Sequence, residues 1–405
     1  MDDSLYFSEQ HIAVRDMVST FAREQVAPVA AHFDEISEFP WENVKKMGDL
    51  GLLGVPWSEE IGGAGFDTLS YIIAIHEMSK VCASHGITIS AHTTLGTSPI
   101  VNFGTKEQID KYVPFLASGK VLGGFGLTEE SAGSDAGGTR TTAVKRGDHY
   151  VLNGSKRFIT HAGVGEIFVV TAVTDPTKGT KGISSFILTK PSVDLAMCEK
   201  VGIGHEASLP AMSGFTAGRK EDKLGWRASD TRELLFDNVE VPVENLLGAE
   251  GLGFINFMKT LDAGRVGIAA LSLGIAEGAF QQALHYASQR KQFGQAIAKF
   301  QGIQFQLSDM ATEIEAGKHL VYHAAWLAQH NKPYSKEAAI AKLFCSELAM
   351  RTTIKAIQIH GGYGYTKDYP VERYMRDAKI CEIGEGTSEV QRMVIARHLL
   401  KGLMN

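Results

Sequence analysis

The hydrophobic period changes twice along the chain, and this constrains its fold more than any other feature. Up to about residue 120 apolar residues recur at helical spacing, then they fall into short β-rich runs, and beyond Pro242 long helical blocks return. In the first region Val14, Met17, Val18, Phe21 and Gln25 form one stripe after Ser8, predicted to stop where Pro28 restricts the residue before it. Further helices are predicted at 40–50, 69–81 and 106–116, punctuated by Gly62-Gly63-Ala64-Gly65. The middle runs are 143–146, 150–152, 157–160, 167–173, 183–188 and 233–241, and Asn153-Gly154 between two of them reads as a hairpin turn. The runs lack intervening 10–15-residue helical patterns, so they predict a small antiparallel sheet or barrel rather than a parallel dinucleotide fold. The last blocks, 253–289, 300–330, 335–360 and 387–403, suit an up-and-down four-helix bundle. The expected fold class is therefore α+β, with an N-terminal α domain at 1–120, a middle β domain at 121–242 and a C-terminal α-helical bundle at 243–405.

A chain of 405 residues is too long for one undivided core, which agrees with that division. Its 40 Lys+Arg against 46 Asp+Glu leave a net charge of −6 and no basic run, so neither nucleic acid nor a membrane surface is an expected partner. Cys82, Cys198, Cys345 and Cys381 are scattered without C-x-x-C spacing, and the start Met1-Asp2-Asp3-Ser4 resembles neither a secretory signal nor a transit peptide. A cytoplasmic location is expected. The most apolar stretch, 266–276, has 11 residues, short of the roughly 20 a bilayer requires. There is no H-E-x-x-H, P-loop or G-x-S-x-G, and the histidines form no metal-spaced group, so no metal is expected and a lone His92 reads as structural. Gly361-Gly362-Tyr363-Gly364 follows a predicted helix rather than a strand, which argues against a Rossmann loop.

Two segments carry chemistry. Phe125-Gly126-Leu127-Thr128-Glu129-Glu130-Ser131-Ala132-Gly133-Ser134-Asp135 concentrates small residues and hydroxyls, letting backbone N–H groups approach an anionic or heteroaromatic ligand. Glu385 stands between Gly384 and Gly386, little screened and with its own N–H free. Removal of a proton α to a thioester needs a base and donors aimed at the carbonyl oxygen, and burial raises a carboxylate toward useful basicity. By itself this glutamate reads more readily as a solvated loop residue than as a catalytic one.

The first segment resembles the first signature of the acyl-CoA dehydrogenase family. Gln358-Ile359-His360-Gly361-Gly362-Tyr363-Gly364-Tyr365 with Asp368, Arg373 and Asp377 resembles the second. Phe158-Ile159-Thr160, Leu261-Asp262-Ala263-Gly264-Arg265, Arg290-Lys291-Gln292-Phe293-Gly294 and Glu385-Gly386-Thr387-Ser388 follow the family's order and nearly its spacing. The resemblance spans essentially the whole chain and implies an FAD enzyme of acyl-CoA dehydrogenase-like fold.

By that resemblance Phe125, Leu127, Thr128, Gly133 and Ser134 belong to the loop that contacts FAD, with Ser134 also near the CoA chain. Phe158 and Thr160 cover one flavin face, the Thr160 hydroxyl toward N5, and Thr387 and Glu389 meet FAD just beyond the base. Arg290, Phe293, Gln301, Gln358, Gly361 and Gly362 resemble the set that holds the FAD diphosphate and adenine of a neighbouring subunit, which implies a homotetramer of two tight dimers. Asp262 and Arg265 resemble residues that meet the CoA nucleotide end, while Gly384 and Gly386 border the substrate. Glu385 is implied as the base for the α proton, flavin N5 as hydride acceptor and an electron-transferring flavoprotein as electron acceptor. Family members with the base on the earlier helix place it where Gly264 stands here, leaving Glu385 as the single candidate.

Gly384 replaces a tyrosine of many straight-chain relatives, so the expected substrate is a short acyl-CoA that is branched, cyclic or aryl-substituted near C2 or C3. Butyryl-CoA, or an oxidase or acyl-CoA reductase activity on the same fold, is the alternative, and a non-catalytic relative the third. Glu130 stands in place of a proline and Phe158 in place of a tryptophan common in some branches; the stretch 197–212 is extra to the family pattern and has no assigned role.

Overall fold

The computed structural model describes residues 6–203 and 209–403. The N-terminal part is helical: α1 Glu9–Phe21, α2 Ala27–Ile36, α3 Trp41–Asp49, α4 Thr68–Ser79, α5 Ala83–Ser90, α6 Ser98–Phe103 and α7 Lys106–Ala117. Ser8 caps α1 in a capping box with His11, whose Nε2 lies 2.9 Å from Asp67, the residue that caps α4. The first helix does not end at Pro28. A π-helical segment, Ala22–Val26, carries the chain into α2, where Pro28 occupies the first turn and its missing N–H would have had no partner anyway. A second π segment, Ala91–Thr97, joins α5 to α6.

The middle part is a sheet of β1 Gly123–Gly126, β2 Thr142–Arg146, β3 His149–Thr160, β4 Ile167–Val173, β5 Ile183–Thr189, β6 Phe215–Lys220, β7 Thr231–Pro242 and β8 Leu246–Leu247, with helix α8 at Leu195–Val201. Its order is β6-β7-β3-β2-β4-β5-β8, largely antiparallel, but β1 runs parallel to β4. The Asn153-Gly154 hairpin is not formed. β3 is continuous through it and the tight turn lies at Gly147-Asp148, between the paired Arg146 and His149. Gly154 instead marks an irregularity in the pairing with β7, and a Cβ there would come within 2.7 Å of the Thr141 hydroxyl, so close approach rather than turning requires the glycine. Helix α8 opens the extra stretch and packs on α3, burying Cys198 in the helical core. Part of that stretch, 204–208, lies outside the described residues.

The C-terminal part comprises α9 Gly253–Gln289, a small hairpin of β9 Lys291–Gln292 with β10 Gln295–Ala296, then α10 Gln301–Gln329, α11 Ser335–His360, α12 Val371–Lys379 and α13 Ser388–Leu400. By length and mean hydropathy α9 could cross a membrane, yet 83% of its apolar window is buried inside the protein, where it packs on α4, α10 and α11. One helical core joins the N- and C-terminal parts, and a separate core fills the sheet.

Two neutral histidines fix the start of β1. The Gly123 N–H donates to His92 Nδ1 (3.1 Å), while His161 Nδ1 lies 3.0 Å from the Gly123 carbonyl. Burial holds both imidazoles below their usual pKa, so they stay uncharged and serve as structural clamps. His92 is structural, as its isolation in the sequence suggested.

Candidate active site

Glu385 sits in the turn between α12 and α13, at φ +54°, with Gly386 at φ +93°. Eight non-glycine residues have positive φ among the described residues, and Phe158 (+58°), Phe293 (+52°) and Glu385 are three of them. All three belong to sequence-predicted site segments, and each such conformation costs about 1–3 kcal/mol and persists only where its surroundings impose it. At Glu385 the imposing contacts are visible. Gln391 Nε2 donates to the Glu385 carbonyl (3.3 Å) and the Gly386 carbonyl (2.8 Å), and the fully buried Lys342 of α11 donates from Nζ to the same Gly386 oxygen at 2.7 Å.

The Glu385 carboxyl itself is differently placed. Its Oε2 is covered and has no hydrogen-bond partner, and burial pushes its pKa up to about 7, with Lys342 and Arg265 pulling the other way. Room for this carboxyl exists only because residue 264 of α9 is glycine, since a Cβ there would lie 1.9 Å from Oε2. Arg265, the next residue, is 6% exposed and pairs with Asp262 at 2.5 Å; Ser335 Oγ donates to the same Asp262 oxygen at 3.0 Å. Asp262 and Arg265 are thus gathered beside Glu385, with Asp262 on the more open side. The Glu385 N–H donates to no acceptor among the described residues and is free for an incoming oxygen. Thr387 caps α13 and Glu389 is exposed in its first turn.

Lys342 was not found from the sequence. It stands in a helical stripe of buried small residues, Ala338, Ala341, Cys345 and Ala349, and a single lysine on such a face was the available signal. Burial holds its ammonium down to about 8. Lys342→Met removes both the anchor on Gly386 and the charge that favours ionised Glu385, so the pH at which the carboxyl becomes an effective base is expected to rise by roughly one unit. The pH dependence of flavin bleaching by acyl-CoA measures it, and an unmoved profile would refute the assignment.

The loop from β1 is built on a second buried charge. Lys156 Nζ, inside β3, reaches Glu129 (2.7 Å), Thr139 (2.9 Å), Thr171 (3.1 Å) and the Leu127 carbonyl (3.2 Å). Glu129 in turn accepts the N–H groups of Arg140 (2.7 Å) and Thr141 (3.1 Å). This network shapes the segment 125–141, and neither Lys156 nor Glu129 stood out as functional in the sequence. Phe125 is buried, its ring stacked on Phe257 of α9 at 3.9 Å, which ties the loop to the helix bearing Gly264. Leu127 and Thr128 are half-buried, Gly133 and Ser134 exposed, and the space where a Gly133 side chain would stand is open. Two residues past Lys156 the pairing of β3 with β7 slips, and the Phe158 ring is left 62% exposed, beside half-buried Thr160.

The remaining predicted residues form a different surface. Arg290, Gly361 and Gly362 line a cleft of about 540 Å³ with Tyr286, Gln292 and Tyr363. Exposed Gln358 precedes it, Gln301 begins α10, and Phe293 is 93% exposed at the tip of the β9–β10 hairpin. Arg290 follows the end of α9 while Gly264 lies about three turns in from its start, so about 26 residues of helix, or roughly 39 Å at 1.5 Å per residue, separate this cleft from the residue that faces Glu385. One chain does not bring the two sets together.

The chain matches the acyl-CoA dehydrogenase N-terminal domain over residues 8–120, the middle domain over 124–239 and the C-terminal domain over 251–400. It belongs to the acyl-CoA dehydrogenase family. A short-chain specific acyl-CoA dehydrogenase of Clostridium acetobutylicum is 54% identical over 388 residues, 96% of this chain and 97% of that protein. The solved butyryl-CoA dehydrogenase of Megasphaera elsdenii is 45% identical with a TM-score of 0.91, covering 97% and 99% of the two chains. A chain solved in work on the electron transferring flavoprotein of Acidaminococcus fermentans is 49% identical with a TM-score of 0.92, covering 98% and 99%. Members of the family are FAD-dependent oxidoreductases, and this acyl-CoA dehydrogenase is an enzyme of that class. Its residues fit such a cofactor: an exposed aromatic face at Phe158, open ground over Gly133, and a cleft carrying Arg290 beside Gly361 and Gly362, where a Cβ would meet nothing within 4 Å.

Proposed function

We propose that this acyl-CoA dehydrogenase desaturates a short acyl-CoA thioester between C2 and C3, with Glu385 as the base. The observation that carries the reading is the Glu385 carboxyl, whose Oε2 is covered and unpartnered and whose pKa burial raises to about 7. Such a group takes a proton near neutral pH. The thioester oxygen gains charge as that proton leaves C2, and the free N–H of Glu385 is the donor proposed to face it. Lys342 and Gln391 hold the carbonyls on either side of Gly386's bond, so the base does not swing away. FAD, when bound, supplies the two-electron acceptor for the hydrogen that departs from C3. Segment 125–134 with Phe158 and Thr160 is proposed to hold its ring system, and Thr387 and Glu389 to meet it beyond the base.

The long separation between Glu385 and the Arg290 cleft supports a further part of the reading. Arg290, Phe293, Gln301, Gln358, Gly361 and Gly362 are proposed to serve the flavin nucleotide of a second copy, within a homotetramer. An electron-transferring flavoprotein is the proposed electron acceptor, supported by similarity to the chain from the Acidaminococcus work. A cytoplasmic setting fits four cysteines that are all free and buried.

For the acyl group, the favoured substrates are branched, cyclic or aryl-substituted near C2 or C3. A Cβ at 384 would meet only the Ile380 carbonyl, at 3.5 Å, so no neighbouring side chain crowds the point where a side chain would begin. Discrimination of this kind amounts to about 1–3 kcal/mol. Values of kcat/KM for butyryl-, isovaleryl-, isobutyryl-, cyclohexanecarboxyl- and 3-phenylpropionyl-CoA in wild type and Gly384→Tyr test it: the tyrosine is expected to cut the bulky substrates about tenfold or more and leave butyryl-CoA within a few-fold. Equal losses across the panel would refute the role of Gly384.

A further inference from the structure

Helix α9 presents two contacts on one face. Gly264 leaves room for the Glu385 carboxyl, and three residues on, Gly267 abuts Ser90 Oγ and the Tyr71 hydroxyl, which would lie 2.6 and 3.6 Å from a Cβ at that position. Positions i and i+3 share a helix face and are about 4.5 Å apart along the axis. Tyr71 comes from α4 and is 5% exposed, its hydroxyl donating to the Ser90 carbonyl at 3.1 Å and hydrogen-bonded to Thr94 in the second π segment. Ser90 Oγ is buried with no partner. Ser90 is fully buried and Thr94 4% exposed, so this end of the site is closed by protein.

The opposite side of Glu385 is open by comparison, since the Asp262 side chain there is 27% exposed. A thioester attached to a large polar nucleotide must keep that end toward solvent. Its acyl tail then runs the other way, from Gly264 toward Gly267. We infer that Tyr71, braced by Ser90 and Thr94, closes the acyl end of the site and is the residue that limits substrate chain length. The phenol stands about one helical turn along α9 from the base, so little length separates the two. This rests on the dehydrogenation reading of Glu385 and adds to it a length limit, where Gly384 concerns width. A longer straight chain would have to displace a buried aromatic ring together with its two hydrogen bonds.

The test is a chain-length series, butyryl-, hexanoyl- and octanoyl-CoA, on the FAD-loaded wild type, Tyr71→Phe, Tyr71→Leu and Tyr71→Ala. Alongside kcat/KM, binding of each thioester is read from flavin absorbance in the same variants carrying Glu385→Gln, so that fit is measured without turnover. Wild type and Tyr71→Phe are expected to prefer butyryl-CoA, because the ring is present in both. Tyr71→Ala, or Tyr71→Leu if the alanine form does not fold, is expected to raise the octanoyl-to-butyryl ratio at least tenfold in both measurements. A folded, flavin-loaded variant with the wild-type ratio overturns the assignment of Tyr71 while leaving the dehydrogenase reading intact. A wild type that bleaches with none of the three thioesters, nor with isovaleryl-, isobutyryl-, cyclohexanecarboxyl- or 3-phenylpropionyl-CoA, removes both.

Discussion

Glu385→Gln is expected to retain FAD and to bind acyl-CoA with little change, while the rate of flavin reduction falls by about 10³–10⁴-fold, the upper part of what a general base contributes. The amide has the carboxyl's shape, and Oε2 makes no hydrogen bond whose loss could disturb the fold. Only proton acceptance is removed. In the wild type the carboxyl must be ionised to act, and burial raises its pKa to about 7, so reduction is expected to increase as pH rises through 7 and to level off above it. Anaerobic stopped-flow bleaching between pH 5.5 and 9 measures both quantities. A glutamine variant that reduces at near wild-type rate would move the base elsewhere, and a profile flat across neutrality would contradict the buried carboxyl.

Gly264→Ala is the second substitution with a large expected effect, although it changes one hydrogen to a methyl group. Alanine is the better helix former by about 1 kcal/mol, so α9 itself gains. The new Cβ, however, falls 1.9 Å from Glu385 Oε2. A carboxyl at the end of a flexible side chain yields before the helix does, so the protein is expected to fold and melt normally with the base displaced by an ångström or more. Misplacement on that scale costs about 10²-fold in rate. The expected signature is therefore a kcat about a hundredfold lower with unchanged FAD content and thermal midpoint. A loss of stability instead, or wild-type kcat, would show that the carboxyl does not occupy the space over residue 264 during catalysis.

How legible these features were depended on whether they were local. Helix and strand identity came from apolar periodicity, and α9 and α11 fall where the pattern placed them because each buries a continuous apolar face. Local rules failed where neighbours intervened. Pro28 lies within a helical run because a π segment precedes it, and Asn153-Gly154 continues a strand because Thr141 presses against Gly154. Both are backbone decisions made by packing that no short window of sequence contains.

The sequence by itself determined the three-part α+β organisation, the family and the positions of the chemically distinctive residues, Glu385 between two glycines above all, because residue type and spacing are one-dimensional facts. Only the tertiary structure decided what surrounds them. Gly264 and Glu385 are 121 positions apart and Lys342 is 43 from the same carboxyl, as their numbers give, yet α9, α11 and the turn after α12 bring all three into one contact. The pKa of a carboxyl is set by the solvent it loses and the charges it meets, and both come from chain segments remote in sequence. The same holds for the packing of Tyr71, where α4, the second π segment and α9 meet. It holds also for the Arg290 cleft, which one chain keeps some 39 Å of helix from its own base.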